Sequence, residues 1–224
     1  MTKLKSLKSF SHRLRHDTSG LALVEFAYSL PLLLGLGGYG IELANLANTN
    51  VQISVAATAL ADNMSRIGLE SVLSTVQIRE SDVNDSFIGY IKQTEGLNAT
   101  VNGRVILSSL ERNKDGGNWI HWQRCVGTKN VNSSYGVEGD GATGTSLTGM
   151  GPAGALVTAP DASTSVMVVE VIYDYNSLFG NVYFPQRTIK YLASFVVRDD
   201  RDLRQIYNPS PAATAYTCNR RTVT

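Results

Sequence analysis

The 224-residue chain is long enough for one medium-sized domain, with or without a membrane segment. Its 43% apolar and 17% charged content places it among folded proteins. Its formal net charge of +1 conceals an asymmetry: residues 1–20 carry Lys3, Lys5, Lys8, Arg13 and Arg15 against Asp17, a net of +4, while the other 204 residues carry 15 basic and 18 acidic side chains, a net of −3. A nucleic-acid binder holds its positive charge on the folded body, so this distribution argues against that class and against nucleic acid as a partner.

Residues 1–20 are polar, basic and serine-rich, with no periodic apolar face, and read as an unstructured leader kept in the cytoplasm by its charge. Leu21–Gly40 follows, 20 residues with a single charge, Glu25. As a helix it is about 30 Å long, the thickness of a hydrocarbon core. A cleaved secretory signal would have a shorter apolar run and an Ala-x-Ala site close behind. The good candidate, Ala59-Leu60-Ala61, falls too late for one. A plain signal-anchor accounts for the segment except for Glu25, because an unpaired carboxylate within an apolar span costs a few kcal/mol. Pro31 removes one backbone hydrogen bond and predicts a kink. Gly35, Gly37, Gly38 and Gly40 permit close approach of other helices, though an ordinary membrane helix carries such glycines too.

From Ile41 to Ile67 the helical pattern continues and becomes amphipathic. Leu43, Leu46, Ala47, Val51, Ser54, Val55, Thr58, Ala61 and Met64 form the expected buried face, with Asn45, Asn48, Gln52, Asp62 and Arg66 opposite and Gly68 as a stop signal. Leu21–Ile67 is then one helix of about 70 Å. Residues 69–80 read as a short helix with a linker. Ser81 is the expected N-cap of a second helix through Gln93, with Val83, Phe87, Ile88 and Ile91 on one face and Gly96 after its end.

Beyond it the period changes to two. The expected strands are Thr100–Ser109, Asn118–Val126, Ser165–Tyr175 and Arg187–Arg198, with Lys114–Asn118 as a turn between the first two. The third strand predicts one strongly apolar face, as in a half-buried antiparallel sheet. Gly127–Ala162, rich in Gly, Ser, Thr and Asn, reads as a surface loop, with room for a short strand of its own. The charged run Asp199-Asp200-Arg201-Asp202 reads as a solvated strand end, before a tail holding Pro209, Pro211 and Cys218. The fold class is α+β: a long N-terminal helix packed on an antiparallel sheet of four or more strands. The organisation is leader 1–20, membrane-spanning helix 21–40, amphipathic continuation 41–68 and an α+β domain 69–224.

If the body is exported, Cys125 and Cys218 pair as a disulfide that stabilises it by about 4 kcal/mol; otherwise they are two unrelated thiols. The three histidines are His12, His16 and His121, and only the last lies in the body, which argues against a histidine zinc site or a histidine-activated nucleophile. No CxxC, HExxH, P-loop or GxSxG is present. Gly139–Gly144 lacks the carboxylate ladder of a calcium loop and the lysine of a phosphate loop. Trp119, Trp122, Tyr173, Tyr175, Phe179, Tyr183, Phe184, Tyr191 and Phe195 read as core and sheet face rather than a sugar platform. No catalytic residue, metal or cofactor is expected.

The segment Gly20-Leu21-Ala22-Leu23-Val24-Glu25-Phe26-Ala27, with Leu30-Pro31-Leu32-Leu33-Leu34 and Gly40-Ile41-Glu42, resembles the start of TadE-like minor pilins of the tight-adherence (Flp) type IV pilus. Val171–Phe179 resembles their C-terminal strand more weakly. The resemblance implies that a prepilin peptidase cuts between Gly20 and Leu21, and that Glu25, now the fifth residue, pairs with the freed N-terminal amine of a neighbouring subunit. Such a pair fixes axial register and neutralises a carboxylate in an apolar core. Major Flp pilins are very short, whereas residues 69–224 form a body beyond the helix, which implies a minor subunit acting in pilus initiation, tip or assembly, and hence in surface adhesion. The implied partners are the prepilin peptidase, other minor pilins, the Flp major pilin, the inner-membrane assembly platform and membrane lipid. The implied location is the bacterial inner membrane, N-terminus cytoplasmic and body periplasmic, and then the pilus. The alternatives are a pseudopilin of a secretion system, an uncut single-pass protein with a periplasmic ligand-binding domain and, weakest, an exported enzyme.

Overall fold

The computed structural model describes residues 10, 12, 13, 15, 17–67, 75–198 and 200–223. Contacts divide the chain into two units, 1–45 and 46–224, so the division falls inside the first helix. Most of the leader lies outside the described residues. Phe10, His12, Arg13 and Arg15, which are described, are helical, contrary to the expected unstructured leader. No Gly or Pro interrupts the leader before Gly20, and its Leu, Lys and Arg are good helix formers.

Helix α1, Leu21–Arg66, is continuous across Pro31. It is long and apolar enough to cross a membrane, and the window that qualifies is wholly unburied. In the second unit its Leu46–Arg66 portion packs on the sheet through a face that only partly matches the expected one: Ala61 and Met64 lie inside as expected, but the buried stripe is otherwise shifted. Ile53, Ala56, Ala57, Leu60, Ala61 and Met64 are buried, whereas the expected Val51 and Val55 remain 58% and 60% exposed. Two adjacent stripes of this helix are apolar at helical spacing. The one rich in alanine is buried, because small side chains let the helix lie close to the β-branched sheet surface. Leu60→Ala is therefore expected to cost about 3 kcal/mol, and Val55→Ala less than about 0.5 kcal/mol, by urea unfolding of the full chain in micelles.

Helix α2, Glu80–Gln93, has its N-cap two residues before the expected Ser81. Arg79 is the N-cap: its extended backbone N–H donates to Asp82 Oδ2 at 3.0 Å, and its guanidinium also binds the Asp82 carboxylate. A carboxylate three residues past the cap outcompetes the hydroxyl one residue earlier. Residues 68–74, including Gly68 and much of the expected short helix, lie outside the described residues. Thr75–Arg79 is extended rather than helical, with Val76 bridging Arg201 and Arg79 bridging Tyr207.

The sheet is four-stranded and antiparallel, ordered β2-β1-β3-β4: β1 Gly103–Arg112, β2 Asn118–Val126, β3 Val166–Asp174 and β4 Thr188–Val196. β1 begins later than expected because residues 98–102 form a turn around Asn98 at φ 49°. Gly103 then enters the sheet where any Cβ would stand 2.7 Å from both the Ala99 and Ile172 carbonyl oxygens. The turn before β2 is organised by Asn113, whose Oδ1 accepts from the N–H groups of Asp115 and Gly117.

One sheet face carries Val105, Leu107, Trp122, Val126, Met167, Val169, Val171 and Tyr173 against the buried stripe of α1 and Val83, Phe87 and Tyr90 of α2. The expectation of a half-buried sheet fails for the opposite face. Leu110, Ile120, Val166 and Val168 are buried there beneath Met150, Leu147, Val157 and Tyr135, and Ile106, Cys125 and Ile172 beneath Val131 and Cys218. The 127–162 segment, expected as a surface loop, is thus the second cover of the sheet. It pairs with itself only at Met150–Val157.

Candidate functional site

In the first unit, Gly20 precedes the helix and its carbonyl accepts the Val24 N–H at 3.1 Å, which makes it the N-cap of α1. A Cβ at Gly20 would meet nothing within 4 Å, and its φ is not in the left-handed region. Neither packing nor backbone conformation therefore requires glycine. Helix stability alone ranks Ser, Asp or Asn at or above it at an N-cap. Leu21, the first helical residue, is 57% exposed and its N–H donates to the Thr18 carbonyl at 3.1 Å.

Glu25 lies one turn into the helix, exposed, with no hydrogen bond or ion pair among the described residues. Around it stand Leu21, Leu23, Val24 and Phe26, all at least half exposed. An apolar surface of this extent is stable only when covered, by lipid or by other helices, and in either medium a bare carboxylate is costly. Pro31 follows on the same exposed stretch, where it leaves the Ala27 carbonyl without its helical donor.

The second unit holds the disulfide. Cys125 of β2 and Cys218 of the tail are bonded across 93 residues, and no free cysteine is present among the described residues. The tail lies along the outer edge of β2: Cys125 N–H donates to the Tyr216 carbonyl and Gly127 N–H to that of Thr222, both at 2.7 Å. The same edge is capped further along by Gly139 and Asp140, which exchange backbone hydrogen bonds with Ile120.

Buried charges tie the body together, and sequence reasoning missed them. Arg124 of β2 grips both carboxylate oxygens of Glu80, with contacts of 2.5 to 3.1 Å, and joins the start of α2 to the sheet. The charged run expected to be solvated is partly buried: Arg201 is 4% and Asp202 9% exposed, while Asp199 lies outside the described residues. Arg201 donates to the Ile67 carbonyl at 2.9 Å, satisfying an orphan acceptor at the end of α1. Asp202 accepts from Arg204 and Tyr207, which hold its carboxyl well below the usual carboxylate range.

His121 sets its Nδ1 2.9 Å from Glu111 Oε2 and stacks on Trp119, with ring centroids 4.0 Å apart. Glu111 also accepts the Ser109 hydroxyl, so serine and histidine share one carboxylate and do not face each other as nucleophile and base. Of the aromatic set, Trp122, Tyr173, Tyr175 and Phe184 are buried, Tyr191 and Phe195 pack against the core, and Phe179 is 43% exposed. No group of three potential metal ligands occurs among the described residues.

No family model, no curated protein and no solved structure matches this chain.

Proposed function

We propose that this chain is a minor pilin of the tight-adherence type, made as a precursor, cut between Gly20 and Leu21, and assembled through its N-terminal helix. The observation that carries this reading is the pairing of a glycine that nothing local requires with an unpartnered carboxylate five residues later, at the head of an exposed apolar helix. A peptidase that needs a small residue before the scissile bond gives Gly20 a reason. The cut gives Leu21 a free α-amine, the cation that Glu25 lacks. Before assembly the helix lies in the inner membrane, leader in the cytoplasm and body in the periplasm, an oxidising compartment in keeping with the Cys125–Cys218 bond. The prepilin peptidase, other minor pilins, the Flp major pilin, the assembly platform and lipid are the partners. Residues 69–224, far larger than a major Flp pilin, suit a subunit that starts, caps or regulates the filament.

Mass spectrometry after co-expression with the cognate prepilin peptidase tests the first step. The expected mature N-terminus is Leu21, and replacing Gly20 with a bulky residue such as leucine is expected to leave the precursor uncut. An intact Gly20–Leu21 bond in the wild-type chain would sink the reading and favour an uncut single-pass protein.

A further inference from the structure

We propose that the cleft between the outer sheet face, the 127–162 segment and the C-terminal tail binds an oxyanion, a carboxylate, phosphate or sulfate group, through Arg104 and Arg221. Both guanidinium groups donate to the same two carbonyls. Arg104 Nη2 reaches those of Cys218 and Arg220 at 2.6 and 3.0 Å, and Arg221 Nη1 reaches that of Cys218 and, at 3.2 Å, that of Arg220. Shared acceptors hold two full positive charges close together.

Among the described residues neither arginine has a carboxylate partner, unlike Arg124 with Glu80 or Arg204 with Asp202. Arg104 is fully buried, and its Nε has no hydrogen-bond partner. Burial, and then the charge of Arg221, push its guanidinium down to about 10. Carbonyl dipoles alone fix the tail but leave this repulsion standing, and neutral donors could fix the tail as well.

Both arginines line one open cavity of about 370 Å³, whose wall also offers Asn132, Ser133 and Asn219, while the Thr217 hydroxyl there already donates to Asn219 Oδ1 at 2.6 Å. Glu138, a carboxylate on the same wall, is already engaged: it accepts the Gln123 N–H at 2.8 Å and lies 3.5 Å from Arg124. Arg104 also donates through Nη1 to the Gly127 carbonyl at 3.0 Å, and Arg221 through Nε and Nη2 to Asn130 and Asn132 Oδ1 at 3.2 and 3.4 Å, which leaves the Arg104 Nε–H, a second Arg104 Nη1 hydrogen and a second Arg221 Nη2 hydrogen to meet an oxyanion. The disulfide through Cys218 forms part of the wall, so the site exists only in the oxidised chain. This assignment does not depend on the filament role.

Calorimetric titration of the full oxidised chain in neutral micelles, at constant ionic strength, provides the test. The probes are sodium sulfate, sodium phosphate and oligogalacturonate, with sodium chloride as reference. Saturable heat is expected from at least one oxyanion, and about tenfold or greater weakening in Arg221→Gln. A response to oligogalacturonate alone assigns an acidic glycan, and a response to the inorganic ions assigns phosphate or sulfate; both support the site. Asn219→Asp, which supplies a carboxylate from the wall itself, is expected to remove binding and raise the melting temperature. It keeps the test decisive if Arg221→Gln loosens the tail. Absence of saturable heat, or equal binding in both folded variants, overturns the proposal.

Discussion

Replacing Glu25 with alanine is expected to leave cleavage after Gly20 intact and to abolish incorporation of the cleaved chain into filaments. Alanine makes the span more apolar and more helical, so membrane insertion and presentation of the Gly20–Leu21 bond are unaffected. What disappears is the one charge in the exposed apolar stretch Leu21–Gly40. In the proposed filament, subunit docking without it leaves the α-amine of Leu21 unpaired in an apolar setting. Breaking a buried pair in that way costs about 3–5 kcal/mol, on the order of a hundredfold or more in incorporation. Glu25→Gln is expected to fail in the same way, since it keeps the shape and one acceptor but not the charge. Immunoblots of sheared filaments against the membrane fraction measure the effect. Normal levels of either variant in the sheared fraction would refute the role given to Glu25.

The long helix, the existence of the four strands and the disulfide partners are legible in the sequence, because each rests on local periodicity or on there being two cysteines to pair, whereas the sheet order β2-β1-β3-β4 is set by non-local pairing. The buried stripe of α1 was not legible either. Val51 and Val55 are more hydrophobic than Ala56 and Ala57, so residue type points to the wrong side of the stripe. Only the closeness of helix and sheet shows why the alanines are inside. The second cover of the sheet was hidden for a different reason. Tyr135, Leu147, Met150 and Val157 are spread thinly through glycines and serines with no repeat, and they converge only after the segment folds back. The Glu80–Arg124 pair joins residues 44 apart, a non-local choice that no window of sequence displays. At the candidate site the same division holds. Gly20 and Glu25 stand five apart on one helix and can be read together. Arg104 and Arg221 meet only because the Cys218 bond brings the tail to the sheet.

Reduction of that bond is expected to remove about 4.6 kcal/mol of stability from the body, the chain-entropy value for a loop spanning 93 residues. With a urea m-value of about 2.5 kcal/mol/M, this lowers the unfolding midpoint by about 1.8 M. Trp119 and Trp122 lie on β2, the strand that carries Cys125, so tryptophan fluorescence reports the transition directly. Cys218→Ser is expected to match the reduced wild type, which separates loss of the cross-link from an effect of the reductant. The tail contributes beyond entropy. Without the bond, the hydrogen bonds from Cys125 and Gly127 to Tyr216 and Thr222 must hold it alone, and β2 becomes a partly open sheet edge when they fail. Cleavage by trypsin after Arg220 and Arg221 is therefore expected to accelerate in Cys218→Ser, before global unfolding. Equal urea midpoints for the oxidised and reduced chains would show that the packed tail, and not its covalent bond, closes this edge.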